Sequence, residues 1–149
     1  MKRTTIVDLI AILYCILFLY TGIAKLMDYY VAEAQIAQTP ILAPLASEIA
    51  IILPILEIGT ALLVFFTRTR KIGLRISLLL MVTFTGYIIY ILFYNKELPC
   101  TCGGVLQNMT WPQHLLFNLI FIILSILGLI LSKKSNKQVS EQMAHLTMF

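Results

Sequence analysis

Two cysteines one residue apart, Cys100 and Cys102, followed by Gly103 and Gly104, are the residues of this chain best suited by type and spacing to do chemistry. Thiolates attack disulfides and ligate soft metals. A disulfide between them would make a poor staple, because a cross-link stabilises by removing loop entropy from the unfolded chain and this one closes almost no loop. A bond in so tight a ring is strained, and strained, exposed disulfides are the exchangeable kind. The glycines permit a tight thiol turn and the approach of a partner chain. Dithiol redox is therefore the leading reading, with metal ligation and a chemically silent pair as alternatives. His114 is the nearest residue able to lower a thiol pKa or complete a metal site, although a lone histidine at a helix end also reads as an interfacial residue. Cys-x-Cys with one distant histidine supplies three ligands at most, so no metal site is assigned.

The elements that must hold these residues are apolar. Sixty per cent of the 149 residues are hydrophobic and 12% charged, where a soluble domain carries about a quarter charged. The apolar residues fall in four runs, about 6–26, 44–66, 72–94 and 112–131. Each is near the roughly 20 residues that cross a bilayer as a helix, and none alternates like a strand. The expected fold is all-α: a polytopic integral membrane protein, one four-transmembrane-helix bundle over residues 1–131 followed by a polar cytoplasmic tail, 132–149. The tail reads as a loosely structured end, and Tyr29 to Gln38 reads equally as a short surface helix or a plain loop. Met1-Lys2-Arg3 resembles the start of a secretory signal, but the apolar run is overlong and no small-x-small site follows, so cleavage is not expected.

Nine lysines and arginines (residues 2, 3, 68, 70, 71, 75, 133, 134 and 137) sit at one set of span ends, against Lys25 and Lys96 at the other. The positive-inside bias then predicts both termini in the cytoplasm and the Cys-x-Cys loop outside, in a bacterial inner membrane. Tyr29, Tyr30, Tyr94 and Trp111 fall at the outer headgroups, and Thr110-Trp111-Pro112 reads as a capped helix start. The formal charge of +4 is a topology signal and not a nucleic-acid footprint, because the basic residues hug span ends. There is no phosphate-binding glycine loop, nucleophile elbow or histidine pair at zinc spacing.

Ionisable residues within spans are costly and face a partner or a cavity. Glu57 is near the centre of the second span, with Glu48 nine residues closer to the outside. Lys25, near the outer end of the first span, pairs by estimated depth with Glu48. Glu57 is then protonated, paired by a snorkelling side chain, or hydrogen-bonded to Tyr14, Thr83, Thr85 or Asn118. Lys25, Glu48, Glu57, His114 and Asn118 form the candidate supporting set, a proton or quinone site, against the plainer reading of hydrogen bonds that glue helices together. Cys15, deep in the first span, reads as packing.

Several segments resemble the MauE/DoxX-like family of small membrane proteins: Thr21 to Asp28, Leu53 to Gly59 with Leu62, Cys100 to Gly104, Trp111, and Phe117-Asn118. The resemblance spans roughly Val7 to Leu131, and the paired outer cysteines point to the MauE branch. It implies a redox-associated role: MauE proteins are linked with methylamine utilisation, where they assist maturation of a disulfide-rich periplasmic dehydrogenase subunit. Relatives are associated with quinone-linked oxidation, and the architecture is similar to that of the quinone reductases DsbB and vitamin K epoxide reductase. Those reductases relay electrons through two cysteine pairs; this chain has one pair plus Cys15, and Gly104 stands where the MauE pattern often has an aromatic residue.

The expected function is thiol-disulfide exchange by Cys100 and Cys102 with a periplasmic or exported thiol protein, or with a quinone as the lipid-borne cofactor. The competing readings are a non-enzymatic membrane subunit or maturation chaperone, and a metal-handling protein using Cys100, Cys102 and His114.

Overall fold

The computed structural model describes residues 3–94 and 110–146. The chain runs as α1 (Arg3–Met27), α2 (Tyr29–Ala37), a 3₁₀ turn (Ala43–Leu45), α3 (Ala46–Phe65), α4 (Arg70–Tyr94) and α5 (Trp111–Leu146), with no strand among the described residues. Four helices are long and apolar enough to cross a membrane, over Thr4–Met27, Ala43–Phe65, Arg70–Phe93 and Pro112–Ser132. Each closes its own backbone hydrogen bonds, the condition for an element surrounded by lipid.

The packing register makes neighbouring helices antiparallel. Cys15 lies against Ala61 and Gly22 against Pro54 and Ile58, so α1 and α3 run in opposite directions. Tyr14 meets Phe121 and Ser125 while Ile10 meets Gly128, which sets α5 against α1 in the same way. The bundle core is built from Ile10, Tyr14, Phe18, Val64, Leu74 and Met81. Tyr14 is wholly buried, and its hydroxyl is satisfied on both sides: it donates to the Phe121 carbonyl at 2.5 Å and accepts from Ser125 Oγ at 2.6 Å. A buried phenol without such partners would be a net cost.

One end of the bundle holds the start of α1, the α3–α4 turn and the point where α5 leaves the bundle. There the last carbonyls of α3, which have no helical partner, are taken by side chains: Thr69 Oγ1 donates to Leu63 O at 2.8 Å and Arg70 Nε to Val64 O at 3.3 Å. Arg70 also pairs with Asp8 of α1. Gly73 sits so close to α3 that a Cβ there would fall 2.6 Å from Val64 N and 2.8 Å from Leu63 C. Those are backbone atoms and cannot swing aside. Gly73→Ala is therefore expected to destabilise the bundle by about 1–3 kcal/mol, as overpacking does, measured by denaturant titration in micelles; an unchanged midpoint would contradict the close approach.

The opposite end, called the α2 end below, carries the link between α1 and α3. The stretch from Tyr29 that reads equally as helix or loop is a helix; it buries Ala32 and Ile36, and Ile36 packs with Ala46 and Ala50 of α3. α5 begins at this end: Thr110 N–H donates to Gln113 Oε1 at 3.0 Å, and Thr110 O accepts the helix's first backbone bond from His114 N–H at 3.0 Å. The Gln113 side chain thus makes one half of a Thr-x-x-Gln capping box, with Pro112 in the first turn where its missing N–H costs nothing. Contrary to the expectation of a loose tail, α5 continues unbroken to Leu146. From Ser132 to Leu146 the chain contains neither glycine nor proline, so nothing in its backbone chemistry stops the helix.

Candidate functional site

The site grows from one close helix crossing. Gly22 is the only kind of residue that fits where α1 meets α3: a Cβ there would stand 2.9 Å from Ile58 Cγ1 and 3.1 Å from the Pro54 carbonyl oxygen. With Gly22 level with Pro54–Ile58, Lys25 lies one turn further toward the α2 end. Its four-carbon stem reaches back, and Nζ donates to Glu57 Oε1 at 2.5 Å. Lys25 is 7% exposed and Glu57 1%, so this is a buried ion pair in which each charge depends on the other. The Phe84 ring of α4 flanks the ammonium, with its centroid 5.6 Å from Nζ. Among the described residues Glu57 Oε2 has no hydrogen-bond partner. The neighbouring Thr21 hydroxyl donates instead to Leu17 O at 3.0 Å.

This overturns the pairing of Lys25 with Glu48. Glu48 is exposed on the first turn of α3 and, among the described residues, accepts from the Ser47 hydroxyl at 3.1 Å. The depth estimate aligned the apparent ends of the two runs as though the link between them were a simple turn. In the observed register Glu48 lies six residues, roughly 9 Å of helix rise, beyond Pro54 toward the α2 end. The snorkelling lysine allowed for Glu57 is Lys25 itself. The hydroxyls considered as alternatives are committed elsewhere: Tyr14 to α5, Thr83 to Leu79 O and Thr85 to Met81 O.

Beside the ion pair, in the half of the bundle toward the α2 end, lies a cavity of about 450 Å³ walled by α2, α3, α4 and the link after α2. Its walls are mostly apolar, with Ile36, Leu53, Phe84 and Ile88 among them. Several polar side chains line it, Thr83 and Tyr90 of α4 among them. Lys25 contributes its ammonium from α1, and Thr39 and Tyr87 contribute hydroxyls 3.0 Å apart. Pro54, also in the wall, has no N–H to give the Ala50 carbonyl one turn earlier, so a backbone acceptor is released in the same wall. An apolar chamber with a few convergent polar groups and a size within the usual ligand range of about 300–1,000 Å³ is the form of a small-molecule site.

Of the remaining sequence candidates, His114 and Asn118 are each 2% exposed and lie one turn apart on α5. Asn118 Nδ2 has no hydrogen-bond partner, and neither residue lines the cavity. Cys15 is buried and donates to Ala61 O at 3.2 Å, consistent with packing. Cys100 and Cys102 lie outside the described residues, as do two of the three ligands of the metal reading. The segment that carries them joins the end of α4 to the start of α5, both at the α2 end.

Sequence reasoning missed Thr39, Phe84 and Tyr87. Thr39 follows a helix that the sequence left ambiguous, and one threonine, one phenylalanine and one tyrosine in or beside apolar runs carry no signal of their own. Gly22 was in view only as part of a motif, and its role is a distance between helices that no single run encodes.

No curated protein and no solved structure matches the chain. The family model described as "Methylamine utilisation protein MauE" matches residues 3–131, which takes in all four spans, the ion pair and the cavity. The chain is thus a multi-pass membrane protein that belongs to the MauE family.

Proposed function

We propose that this protein is a thiol-disulfide redox protein of the bacterial inner membrane, with both termini in the cytoplasm and the α2 end facing the periplasm. Cys100 and Cys102 exchange electrons with an exported thiol protein or with a quinone. The observation that carries the reading is the Cys-x-Cys-Gly-Gly segment itself, a spacing too short to staple anything, in a connection between α4 and α5 that carries one lysine, Lys96, against nine basic residues, Lys2 and Arg3 among them, at the opposite set of span ends.

The exchange balances within the thiols. One thiolate of the reduced pair attacks a substrate disulfide, forming a mixed disulfide and expelling a substrate thiolate. The second thiolate then attacks that mixed bond, closing Cys100–Cys102 and releasing the substrate as a dithiol. Run in reverse, the same steps oxidise a substrate dithiol. In either direction a single Cys→Ser variant stops at the mixed disulfide.

The test uses Cys100→Ser and Cys102→Ser, each in intact cells. At least one should accumulate a covalent adduct that reducing agent removes, and a membrane-impermeant thiol reagent added beforehand should abolish it. No adduct from either variant removes the redox reading in favour of a scaffold or maturation subunit. An adduct that forms despite the impermeant reagent reverses the orientation.

A further inference from the structure

The cavity beside Lys25 is the part of the molecule with the clearest ligand chemistry. Its walls admit a lipid-soluble molecule, yet its polar atoms would be wasted on an acyl chain. Lys25 has three N–H donors, of which Glu57 takes one. The Thr39–Tyr87 pair has two O–H groups, and their mutual hydrogen bond uses one. Two donor points on different elements, one from α1 and one shared by the α2–α3 link and α4, thus face an apolar chamber. Because Glu57 neutralises Lys25, the floor has no net charge to attract an anionic headgroup. The complement is a neutral molecule with two separate acceptor oxygens and an apolar body. Phe84, already against the ammonium, supplies an aromatic face for a flat ring.

We infer that this cavity binds the ring of a lipid quinone, with one carbonyl oxygen on Lys25 Nζ and the other on the Thr39–Tyr87 hydroxyls. The inference rests on the proposed thiol redox role for its purpose, because a quinone accepts what the dithiol gives up: two electrons and two protons leave Cys100 and Cys102 as their S–S bond forms, and the two carbonyl oxygens become hydroxyls. Its geometry stands apart from the cysteines. Lys25 would touch the ring directly, and Glu57 is the residue that positions its ammonium. The released Ala50 carbonyl offers an acceptor to a hydroxyl of the reduced ring.

The test is photolabelling of the full chain in phosphatidylcholine nanodiscs with an azido-substituted short-chain ubiquinone, followed by peptide mapping. Label should concentrate on the peptides containing Leu53 and Phe84 and be displaced by decylubiquinone. Tyr87→Phe should weaken the displacing affinity about fivefold, the loss of one hydrogen bond. The paired exchange Lys25→Met with Glu57→Leu, which leaves no lone charge, should weaken it tenfold or more, and Leu53→Trp should block labelling by filling the chamber. The double variant Cys100→Ser, Cys102→Ser should label like the parent, so binding and thiol exchange fail separately. Label scattered over the lipid-facing helices and indifferent to these variants overturns the inference. So does displacement by phosphatidylglycerol but not by decylubiquinone, which would make the cavity a lipid-headgroup site.

Discussion

Lys25→Ala is expected to destabilise the folded bundle by about 3 kcal/mol, because it leaves the Glu57 carboxylate buried at mid-span with both oxygens unpaired. Glu57→Ala should cost less. The lysine left behind sits within a turn of the helix end and can swing its ammonium out toward the α2 end, a route closed to the short carboxylate deep in α3. The double exchange Lys25→Met, Glu57→Leu should return close to parent stability, since replacing both members of a buried pair with apolar groups of similar size removes desolvation along with attraction. In a mutant cycle Lys25 and Glu57 should therefore couple strongly, while Lys25 and Glu48 should add within about 0.5 kcal/mol, as sites without a shared partner do. Coupling is read from unfolding midpoints in mixed micelles. Strong coupling to Glu48 and none to Glu57 would show that the register set by Gly22 is wrong.

The contrast between those two pairings marks where sequence reasoning stopped being sufficient. The four spans were legible because length and hydropathy alone decide whether a helix crosses a bilayer, and the observed helices fall within a few residues of the expected runs. The helix start at Thr110-Trp111-Pro112 was legible because its residues are neighbours in sequence, although the cap bond observed there uses the Gln113 side chain. The depth of Glu57 relative to Lys25 was not, since it depends on how far α1 slides along α3. Gly22 sets that slide by letting the Pro54 carbonyl approach, and α2 takes up the extra length of the link. The cavity was less legible still. Its walls come from four elements, its hydroxyl pair joins residues 48 apart in the chain, and its apolar members look like any lipid-facing residue until the helices are assembled. Conversely, the Cys-x-Cys pair was legible at once because thiol spacing is a local property, and it remains the feature on which the functional reading turns.

Replacing both Cys100 and Cys102 by serine is expected to abolish function while leaving the bundle standing. A bridge between residues two apart constrains little of the unfolded chain, so the loop-entropy contribution lost is small and stability should stay within about 1 kcal/mol of the parent. The spans hold their own backbone bonds, and the Lys25–Glu57, Arg70–Asp8 and Tyr14–Ser125 contacts involve neither cysteine. A structural disulfide behaves the other way, since removing a native cross-link from a small domain typically costs about 2–5 kcal/mol. The measurement pairs an unfolding titration of the purified double variant with the redox state of exported thiol proteins in cells that carry it. Parent-like unfolding together with over-oxidised exported proteins, or with reduced ones accumulating if exchange runs in the reverse, substrate-oxidising direction, is the expected outcome. A fall in stability of several kcal/mol would make the pair a structural staple. Unchanged stability with unchanged redox states would leave the MauE-family bundle working without its thiols, and the exchange mechanism would have to be given up for a scaffold that binds its exported partner through other surfaces.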